Sequence, residues 1–410
     1  MKFECTHPAD ALATIMERIY TGGMTTTSGG NLSVRDSEGD IWITPAGIDK
    51  GALTANDMVR MRGGEKLGGL HRPSSELPFH MAVYEARPDV SAVLHAHPPA
   101  LVAFSLARKL PKLSRAALAR YALPGSDALG VIIGDELKKG YDIVLMENHG
   151  AVVAAADIFE AYKRFETSEL FAAIEINTAK LGGSTAFEKR LGSTLKIEFA
   201  PKQRSAEECA LRRDMTAFIR RAVRQKLFFA EHGSFSSRLS GGFVITPHGK
   251  DRAYLREPDL VSVQGGNREA GKDPSLSARL HDRIYQEHPD INAIIGARPP
   301  YAMAFALTGA EFDTVTIPES YIMLREVKRA PLGIGDGEIS SLLSKSTPAL
   351  IIDGDQILVT GATPLQAFDR LEVFEATARS IIASRSIGEI IRITGSEVKD
   401  IDRAFNLEYN

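Results

Sequence analysis

Three histidines are spaced so that they could bind one metal ion. His95 and His97 stand two residues apart in the run SAVLHAHPP, whose alternation predicts a β-strand over residues 91–97 with both imidazoles on one face. His149 follows a second β-like run at residues 143–146 and precedes a glycine that permits a sharp turn. Three histidines with an open fourth position are typical of a catalytic zinc site. The alternative for each histidine is an ordinary core or surface position.

A predicted helix start carries a candidate carboxylate, Glu76. The segment RPSSELPFH places Pro73 and two serines before an apolar run, and predicts a helix over about residues 75–86 with Glu76 in its first turn. Unpaired N–H groups at such an end suit a phosphate or a carboxylate. The alternative is a simple capped helix in which Glu76 complements the helix dipole.

Two glycine-rich segments are candidate anion sites. SGGNLSVRD and TPAGIDK each predict a tight turn beside a strand, and each could offer backbone amides to an anion. Either could equally be only a hairpin turn, so both gain weight only together with the other motifs.

The chain repeats itself at an offset of about 200 residues. GNLSVR recurs as GSFSSR, ITPAGIDK as ITPHGKDR, PDVSAVLHAHPP as PDINAIIGARPP, and VLMENHG as LIIDGDQ. Four blocks in one order indicate an internal duplication. With 410 residues and 44% hydrophobic content, the chain can form two cores, and we predict domains over residues 1–195 and 206–410. Short β-rich runs between helices predict a mixed α/β fold with substantial antiparallel pairing in each.

The second copy lacks the candidate chemical residues of the first. At the positions of the three histidines and of Glu76 it has Gly296, Arg298, Asp355 and Ser277. All the candidates change together while the flanking sequence persists, which indicates that one shared site was lost. The comparison therefore favours a metal site in the first copy and a role for Glu76 beyond capping.

Composition restricts the partners. The chain has 49 basic and 52 acidic residues and a net charge of −3, so no broad field attracts nucleic acid or an anionic membrane, and a small molecule is the expected partner. Cys5 and Cys209 form no CxxC pair, which argues against a disulfide framework or a thiolate metal site. Without an apolar leader or a run of about 18 apolar residues, we expect a soluble, cytoplasmic protein.

The ordered motifs GGNLSVR, ITPAG, PSSELPFH, HAHP and ENHG resemble those of the class II aldolase/adducin family, which includes fuculose- and rhamnulose-phosphate aldolases and ribulose-phosphate 4-epimerases. The resemblance covers the whole first half, and the second half looks like a degenerate copy. It implies two tandem domains, each a largely antiparallel central sheet flanked by helices in a three-layer α/β/α arrangement. It also implies a divalent ion, Zn²⁺ in the first place with Mn²⁺ as the alternative, and tetramers with sites at subunit interfaces.

Several residues match the family motifs by position. The resemblance implies His95, His97 and His149 as metal ligands, Glu76 as the acid/base carboxylate, and Gly30, Asn31, Gly47, Ser74 and Ser75 as the phosphate-binding residues. One departure is Ala46, which stands where these aldolases often have threonine and removes a possible phosphate contact.

The activity that the resemblance implies is that of a metal-dependent lyase. It would cleave a ketose phosphate or a related sugar-acid phosphate in a retro-aldol reaction, through a metal-stabilised enediolate, with Glu76 moving the proton. The same enediolate serves decarboxylation, dehydration and 4-epimerisation, which are the alternatives within the family. A non-catalytic, adducin-like scaffold is the alternative outside enzymes, although the intact histidine triad argues against it.

The second half is expected to be structural and metal-free. If the four-fold arrangement of the family persists, two chains of two domains would form a homo-oligomer that is a pseudo-tetramer. Arg298, Arg325 and His281 are then candidates for reaching a catalytic site of a neighbouring domain.

Overall fold

The computed structural model of the protein describes residues 6–112, 115–141, 143–183, 195–200 and 203–407. The chain divides into two compact units, unit 1 over residues 1–173 and unit 2 over residues 174–410. Cys5 and residues 184–194 and 201–202 lie outside the described residues, and the domain limits 1–195 and 206–410 stay a prediction. Within the described ranges, no helix is both long and apolar enough to cross a membrane.

Unit 1 is built on an eight-stranded sheet. Its strands are β1 (Asn31–Arg35), β2 (Ile41–Ile43), β3 (Val59–Arg62), β4 (Glu65–Gly68), β5 (Ala92–Ala96), β6 (Ala116–Ala119), β7 (Ile143–Met146) and β8 (Ala151–Ala155). Its helices are α1 (Pro8–Thr21), α2 (Leu77–Ala86), α3 (Pro99–Leu106), α4 (Asp127–Lys138) and α5 (Ile158–Lys180), the last of which runs on into unit 2. The strand order is β4-β3-β2-β1-β5-β8-β7-β6, and every described pair except β6–β7 is antiparallel.

Apolar periodicity explains how the helices of unit 1 pack. Leu12, Ile15, Met16 and Ile19 of α1 are buried and recur at the three- and four-residue spacing of one helix face. Helices α2 and α4 join the central strands in one apolar cluster through Phe79, Val83, Ile133 and Val152. Strands β5, β7 and β8 are buried along their whole length, and so they read as continuous apolar runs interrupted only by His95.

Unit 2 repeats this plan with a nine-stranded sheet. Its strands are β9 (Glu198–Phe199), β10 (Ser234–Leu239), β11 (Gly242–Ile245), β12 (Val261–Gln264), β13 (Asn267–Glu269), β14 (Ala293–Ala297), β15 (Val327–Ala330), β16 (Ala349–Ile352) and β17 (Gln356–Gly361). Its helices are α6 (Ala206–Arg224), α7 (Ala278–Glu287), α8 (Ala302–Ala306), α9 (Pro318–Leu324), α10 (Asp336–Ser341), α11 (Pro364–Ser384) and α12 (Gly395–Phe405). The order is β15-β16-β17-β14-β10-β11-β12-β13-β9, with β15–β16 and β13–β9 parallel.

The two sheets have the same register at their centres. Asn31 of β1 pairs with His95 of β5, and Ser234 of β10 pairs with Gly296 of β14. The predicted α/β fold, with two tandem domains each built on a largely antiparallel sheet flanked by helices, is confirmed.

Candidate metal centre

Three strand ends of unit 1 bring the predicted histidines together. His95 lies in β5, His97 follows the last residue of that strand, and His149 lies in the turn between β7 and β8. Asn148 adopts a left-handed conformation, with φ of 58°, that turns the chain at this point. One ligand nitrogen from each histidine can be chosen so that all three lie within 4.8 Å of one another. The strand period and the turn therefore form the cluster that the sequence predicts.

Two glycines leave room for the imidazole of His97. A Cβ at Gly150 would lie 2.6 Å from His97 Cδ2 and 2.5 Å from the carbonyl oxygen of Ala96. A Cβ at Gly29 would lie 2.6 Å from His97 Nδ1. Both contacts are closer than atoms can pack. Glycine is thus required on two sides of this ring.

Hydrogen bonding and burial keep the histidines neutral. The Nδ1 of His95 lies 3.1 Å from the carbonyl oxygen of Ala151, which can only accept, so Nδ1 carries the proton and Nε2 keeps its lone pair. Burial lowers the pKa of His95 well below its usual value and that of His97 to about 4, helped in each case by the neighbouring histidines. Burial also lowers the pKa of His149, although the carboxylate of Glu76 opposes the shift. Neutral imidazoles are the form that binds a metal.

Unpartnered buried atoms surround the point where an ion would lie. Nε2 of His95, Nε2 of His97 and Oε1 of Glu76 are buried and have no hydrogen-bond partner. Buried polar atoms without a partner are rare and call for an explanation. Three neutral nitrogen donors with a carboxylate beside them suit a borderline divalent cation such as zinc, so the residues present fit a metal ion.

The carboxylate of Glu76 faces the histidines and does not cap the helix. Glu76 immediately precedes α2, yet its side chain makes no capping hydrogen bond. Its Oε2 accepts a 2.6 Å hydrogen bond from Asn31 Nδ2 and lies 3.4 Å from His95 Nε2, while its Oε1 lies 3.9 Å from His149 Nε2. The capping alternative is therefore wrong for this side chain.

A directional chain of buried hydrogen bonds holds Glu76. Because Asn31 donates through Nδ2 to Glu76, its Oδ1 accepts from His80 Nε2 at 2.5 Å. The other ring nitrogen of His80 then lacks a proton and accepts from Ser33 Oγ at 2.7 Å, and Tyr84 donates to Ser33 at 2.8 Å. Burial lowers the pKa of His80 to about 3, so its ring stays neutral. The chain fixes the amide orientation that presents a donor to Glu76.

Residues 10–176 and 213–382 each match the family described as Class II Aldolase and Adducin N-terminal domain. The chain belongs to this class II aldolase family. The curated relatives include L-fuculose phosphate aldolase of Methanococcus maripaludis, 33% identical over 38% of this chain and 86% of that protein, and 3-oxo-tetronate 4-phosphate decarboxylase of Haemophilus influenzae, 30% identical over 37% and 78%. Among solved structures, an L-fuculose 1-phosphate aldolase is 29% identical with a TM-score of 0.41, covering 44% of this chain and 90% of that one.

The family match and the curated relatives support an aldolase-type enzyme for this member of the class II aldolase family. The family is metal-dependent, and the group His95, His97 and His149 could hold the ion. Both halves of the chain match, so the duplication inferred from the sequence is confirmed.

The predicted phosphate-binding residues lie on adjoining segments of this class II aldolase domain. Gly30 has a φ of 73°, and a Cβ there would lie 2.8 Å from the carbonyl oxygen of His95. The turn containing Gly47 runs beside the segment containing Ser74, whose N–H donates to the carbonyl oxygen of Thr44 at 3.1 Å. Gly47 and Ser75 are exposed, whereas Ser74 is buried and accepts from the N–H of Glu76. Their phosphate-binding role stays a prediction.

Sequence reasoning missed the residues that support Glu76. Ser33 lies in the motif GGNLSVR and His80 ends the motif PSSELPFH, but neither was predicted to have a role, and Tyr84 lies outside the motifs. The repeat carried the signal, because unit 2 has the same trio: Ser236 Oγ lies 2.7 Å from His281 Nδ1 and 2.8 Å from the hydroxyl of Tyr285.

In unit 2 of this class II aldolase family member, other protein groups replace the metal ligands of unit 1. Gln356 replaces Gly150, and Gly296 replaces His95: a Cβ at Gly296 would lie 2.5 Å from Gln356 Oε1. Arg298 forms an ion pair with Asp355 and donates to its carbonyl oxygen at 2.7 Å. An amide and a neutralised cation thus stand where the first copy has its histidines.

One of the three residues expected to reach a neighbouring site is buried inside unit 2, and the expectation for the other two stays a prediction. The expectation for His281 is wrong, because its ring is fully buried and bonded to Ser236. Arg325 forms an ion pair with Asp402 at 3.1 Å within unit 2, and Arg298 is held by Asp355 as described. The repeat alignment could not distinguish a buried polar side chain from an exposed one.

Proposed function

We propose that unit 1 is a metal-dependent carbon–carbon lyase that cleaves a ketose phosphate, or a related sugar-acid phosphate, in a retro-aldol reaction. The observation that carries the proposal is the buried group of three neutral imidazoles facing the unpartnered oxygen of Glu76. Aldolases of phosphorylated sugars among the relatives support the substrate class.

His95, His97 and His149 would hold the divalent ion, with Zn²⁺ as the first choice and Mn²⁺ as the alternative. When bound, such an ion supplies Lewis-acid stabilisation of negative charge on the substrate oxygens. Nδ1 of His95 is fixed by the carbonyl oxygen of Ala151, which orients the ring and directs Nε2 inward.

Glu76 is the group that takes up and returns the proton. Asn31 holds Oε2, so Oε1 is the oxygen left to exchange a proton with substrate. The buried hydrogen-bond chain behind Asn31 prevents the amide from rotating, which keeps the carboxylate in one orientation. Gly30, Asn31, Gly47, Ser74 and Ser75 are proposed to bind the phosphate of the substrate, with Ala46 contributing no side-chain contact.

Decarboxylation is a second candidate reaction. The Haemophilus influenzae relative is a 3-oxo-tetronate 4-phosphate decarboxylase, and its identity to this chain, 30%, is close to that of the aldolase, 33%. Release of a two- or three-carbon carbonyl fragment identifies an aldolase, and release of CO₂ identifies a decarboxylase.

The first experiment is elemental analysis of the purified full chain beside His97→Ala. We expect about one divalent ion per chain in the wild type and its loss in the variant, because two ligands do not hold zinc tightly. His71→Gln is the matched control, since this histidine pairs with Asp57 and belongs to no candidate metal group among the described residues. A wild type without metal after zinc or manganese is supplied would leave the non-catalytic, scaffold-like alternative.

The second experiment tests Glu76 in the metal-loaded enzyme. Glu76→Gln keeps the size of the side chain and removes the base, so turnover of ketose phosphates should fall by about 10²- to 10⁴-fold while the metal content stays near one. Unchanged turnover in this variant contradicts the proposed role.

We also propose that the chain forms a homo-oligomer, a pseudo-tetramer of two chains, and resides in the cytoplasm. Light scattering on the full chain tests the first point, and a monomeric mass would contradict it.

A further inference from the structure

Unit 2 contains a polar cavity of about 180 Å³ beside the residues that replace the metal ligands of unit 1. Residues 231–234, 275–277, 279–280, 296–298 and 355–356 contribute to its walls, together with His248, Arg252 and Asp336. The volume equals that of about six water molecules. The site lost its metal ligands, but it did not close around an apolar core.

Arg252 is a buried cation that lines this cavity without a counter-ion. The residue is 2% exposed, and it forms no ion pair with any described residue. Its Nε donates to the carbonyl oxygen of Gly233 at 2.8 Å, and its Nη1 donates to those of Pro247 and Lys250 at 3.0 and 2.7 Å. Nη2 has no partner among the described residues. Burial lowers the pKa of Arg252 only to about 10, so the group stays charged at neutral pH.

A buried charge without a partner is costly, and proteins normally pair it. The negative charges of Glu231 and Asp251 oppose this lowering of the pKa, but neither acid forms an ion pair with Arg252 among the described residues. The three carbonyl oxygens hold the guanidinium in place without neutralising it. This arrangement is expected of a group that binds an anion from outside the protein.

A second unpaired cation stands at the rim of the same cavity. Arg279 lies in the first turn of α7, where the helix dipole disfavours a positive charge, and it makes no hydrogen bond or ion pair with any described residue. Ser275 and Ser277 stand beside it, with their hydroxyls 3.0 Å apart. Pro247, which accepts from Arg252, forms a bridge with Pro274, so this turn adjoins the buried guanidinium.

We propose that the cavity of unit 2 binds a phosphate group, as the free ion or on a short carbon chain, without a metal ion. Arg252 would contact it from the buried side and Arg279 with the first turn of α7 from the rim. Three guanidinium groups and three carboxylates line the cavity, the carboxylates being those of Glu231, Asp336 and Asp355, so anion binding depends on the arrangement of these charges. Arg298 neutralises Asp355, whereas Arg252 and Arg279 form no ion pair with a described residue. Guanidinium groups match phosphate oxygens in geometry and charge.

The test is calorimetric titration of the full chain, freed of metal with EDTA, with inorganic phosphate. We expect saturable binding that weakens by about 2- to 5-fold in Arg279→Gln, an exposed contact, and by about 10-fold or more in Arg252→Gln. Arg279→Lys should recover part of the loss because it restores the charge. Ser75→Ala in unit 1 is the matched control. This variant should weaken phosphate binding at the predicted site of unit 1 and leave phosphate binding by unit 2 unchanged.

Circular dichroism shows whether Arg252→Gln is folded. If the Arg252 variant does not fold, the exposed Arg279→Gln variant still tests the proposal. The proposal is overturned if the metal-free wild type binds no phosphate saturably, or if both unit 2 variants bind it as tightly as the wild type. Because the measurement excludes metal and the two deciding variants change only unit 2, its result is independent of the reaction proposed for unit 1.

Discussion

Exchanging one glycine and one histidine should convert the metal centre of unit 1 into the arrangement of unit 2. The two changes are Gly150→Gln and His95→Gly, which reproduce Gln356 and Gly296. In unit 2 the glutamine amide occupies the space that a side chain at Gly296 would need. Each single substitution should therefore be harmful in unit 1, and the pair should cost no more than either one alone.

The magnitudes follow from the contacts. A side chain at position 150 would begin 2.5 Å from the carbonyl oxygen of Ala96 and 3.1 Å from Cε1 of His95, so Gly150→Gln should cost about 3 kcal/mol of overpacking. His95→Gly leaves a cavity, loses the bond to Ala151 and places glycine in a strand, for about 3 kcal/mol in total. His95→Gly removes only the last of these contacts, and the contacts of position 150 with Ala96 and with Cδ2 of His97, at 2.6 Å, persist. If the glutamine fills the cavity, the double variant should therefore lose only about 3 kcal/mol of overpacking rather than about 6, a coupling of about 3 kcal/mol.

The assay is urea unfolding of EDTA-treated protein followed by tryptophan fluorescence. Trp42 is the only tryptophan of the chain and lies in β2, so the signal reports unit 1. Metal must be absent, since its binding would stabilise the wild type alone. The midpoint and slope for the wild type, both single variants and the double variant give the four free energies of unfolding.

Additive losses, with the double variant near 6 kcal/mol, would refute the reasoning, because they would mean that the two positions do not share one space. Metal binding by the double variant would also contradict it. Gln356 and Gly296 of unit 2 already have this arrangement and serve as the structural reference.

Three further predictions test the support of the site and of the second unit. Asn31→Ser, the residue type of unit 2, removes the donor to Glu76, so kcat should fall by about 10-fold or more with metal retained, which steady-state kinetics checks. Glu169 accepts two 2.9 Å hydrogen bonds from N–H groups at the start of α3, so Glu169→Gln should lower the unfolding free energy of unit 1 by about 1–2 kcal/mol, measured by Trp42 fluorescence. Burial lowers the pKa of His281 from 6.5 to about 3, so its contribution to stability is full above pH 6.5 and falls by up to about 1.4 kcal/mol per pH unit as the pH drops towards 3. His281→Asn should make the melting temperature in circular dichroism depend less on pH, and an unchanged slope would contradict this prediction.

Local patterns in the sequence predicted the histidine group and the fold. His95 and His97 were predicted together because a strand repeats every two residues, and the same period is present in β5. The repeat then showed which residues change as a set. These inferences succeed because they depend on residues close in sequence or on one alignment of the chain with itself.

Only the tertiary structure decided how the site is supported. Asn31 meets Glu76 across 45 residues, and His80 meets Asn31 across 49, because β1 lies beside β5 and α2 packs against the sheet. No local pattern specifies such contacts, since strand order sets them. For the same reason the sequence left open whether Glu76 caps its helix, and the direction of its carboxylate answers this.

The second unit shows the same division. The sequence by itself determined that its histidines and its acid were lost. Whether the space then closed depended on which neighbouring side chain filled it, and this is a property of packing across strands. Gln356 fills the place left at Gly296, while a cavity stays open beside the buried charge of Arg252, which lies 44 residues along the chain from Gly296.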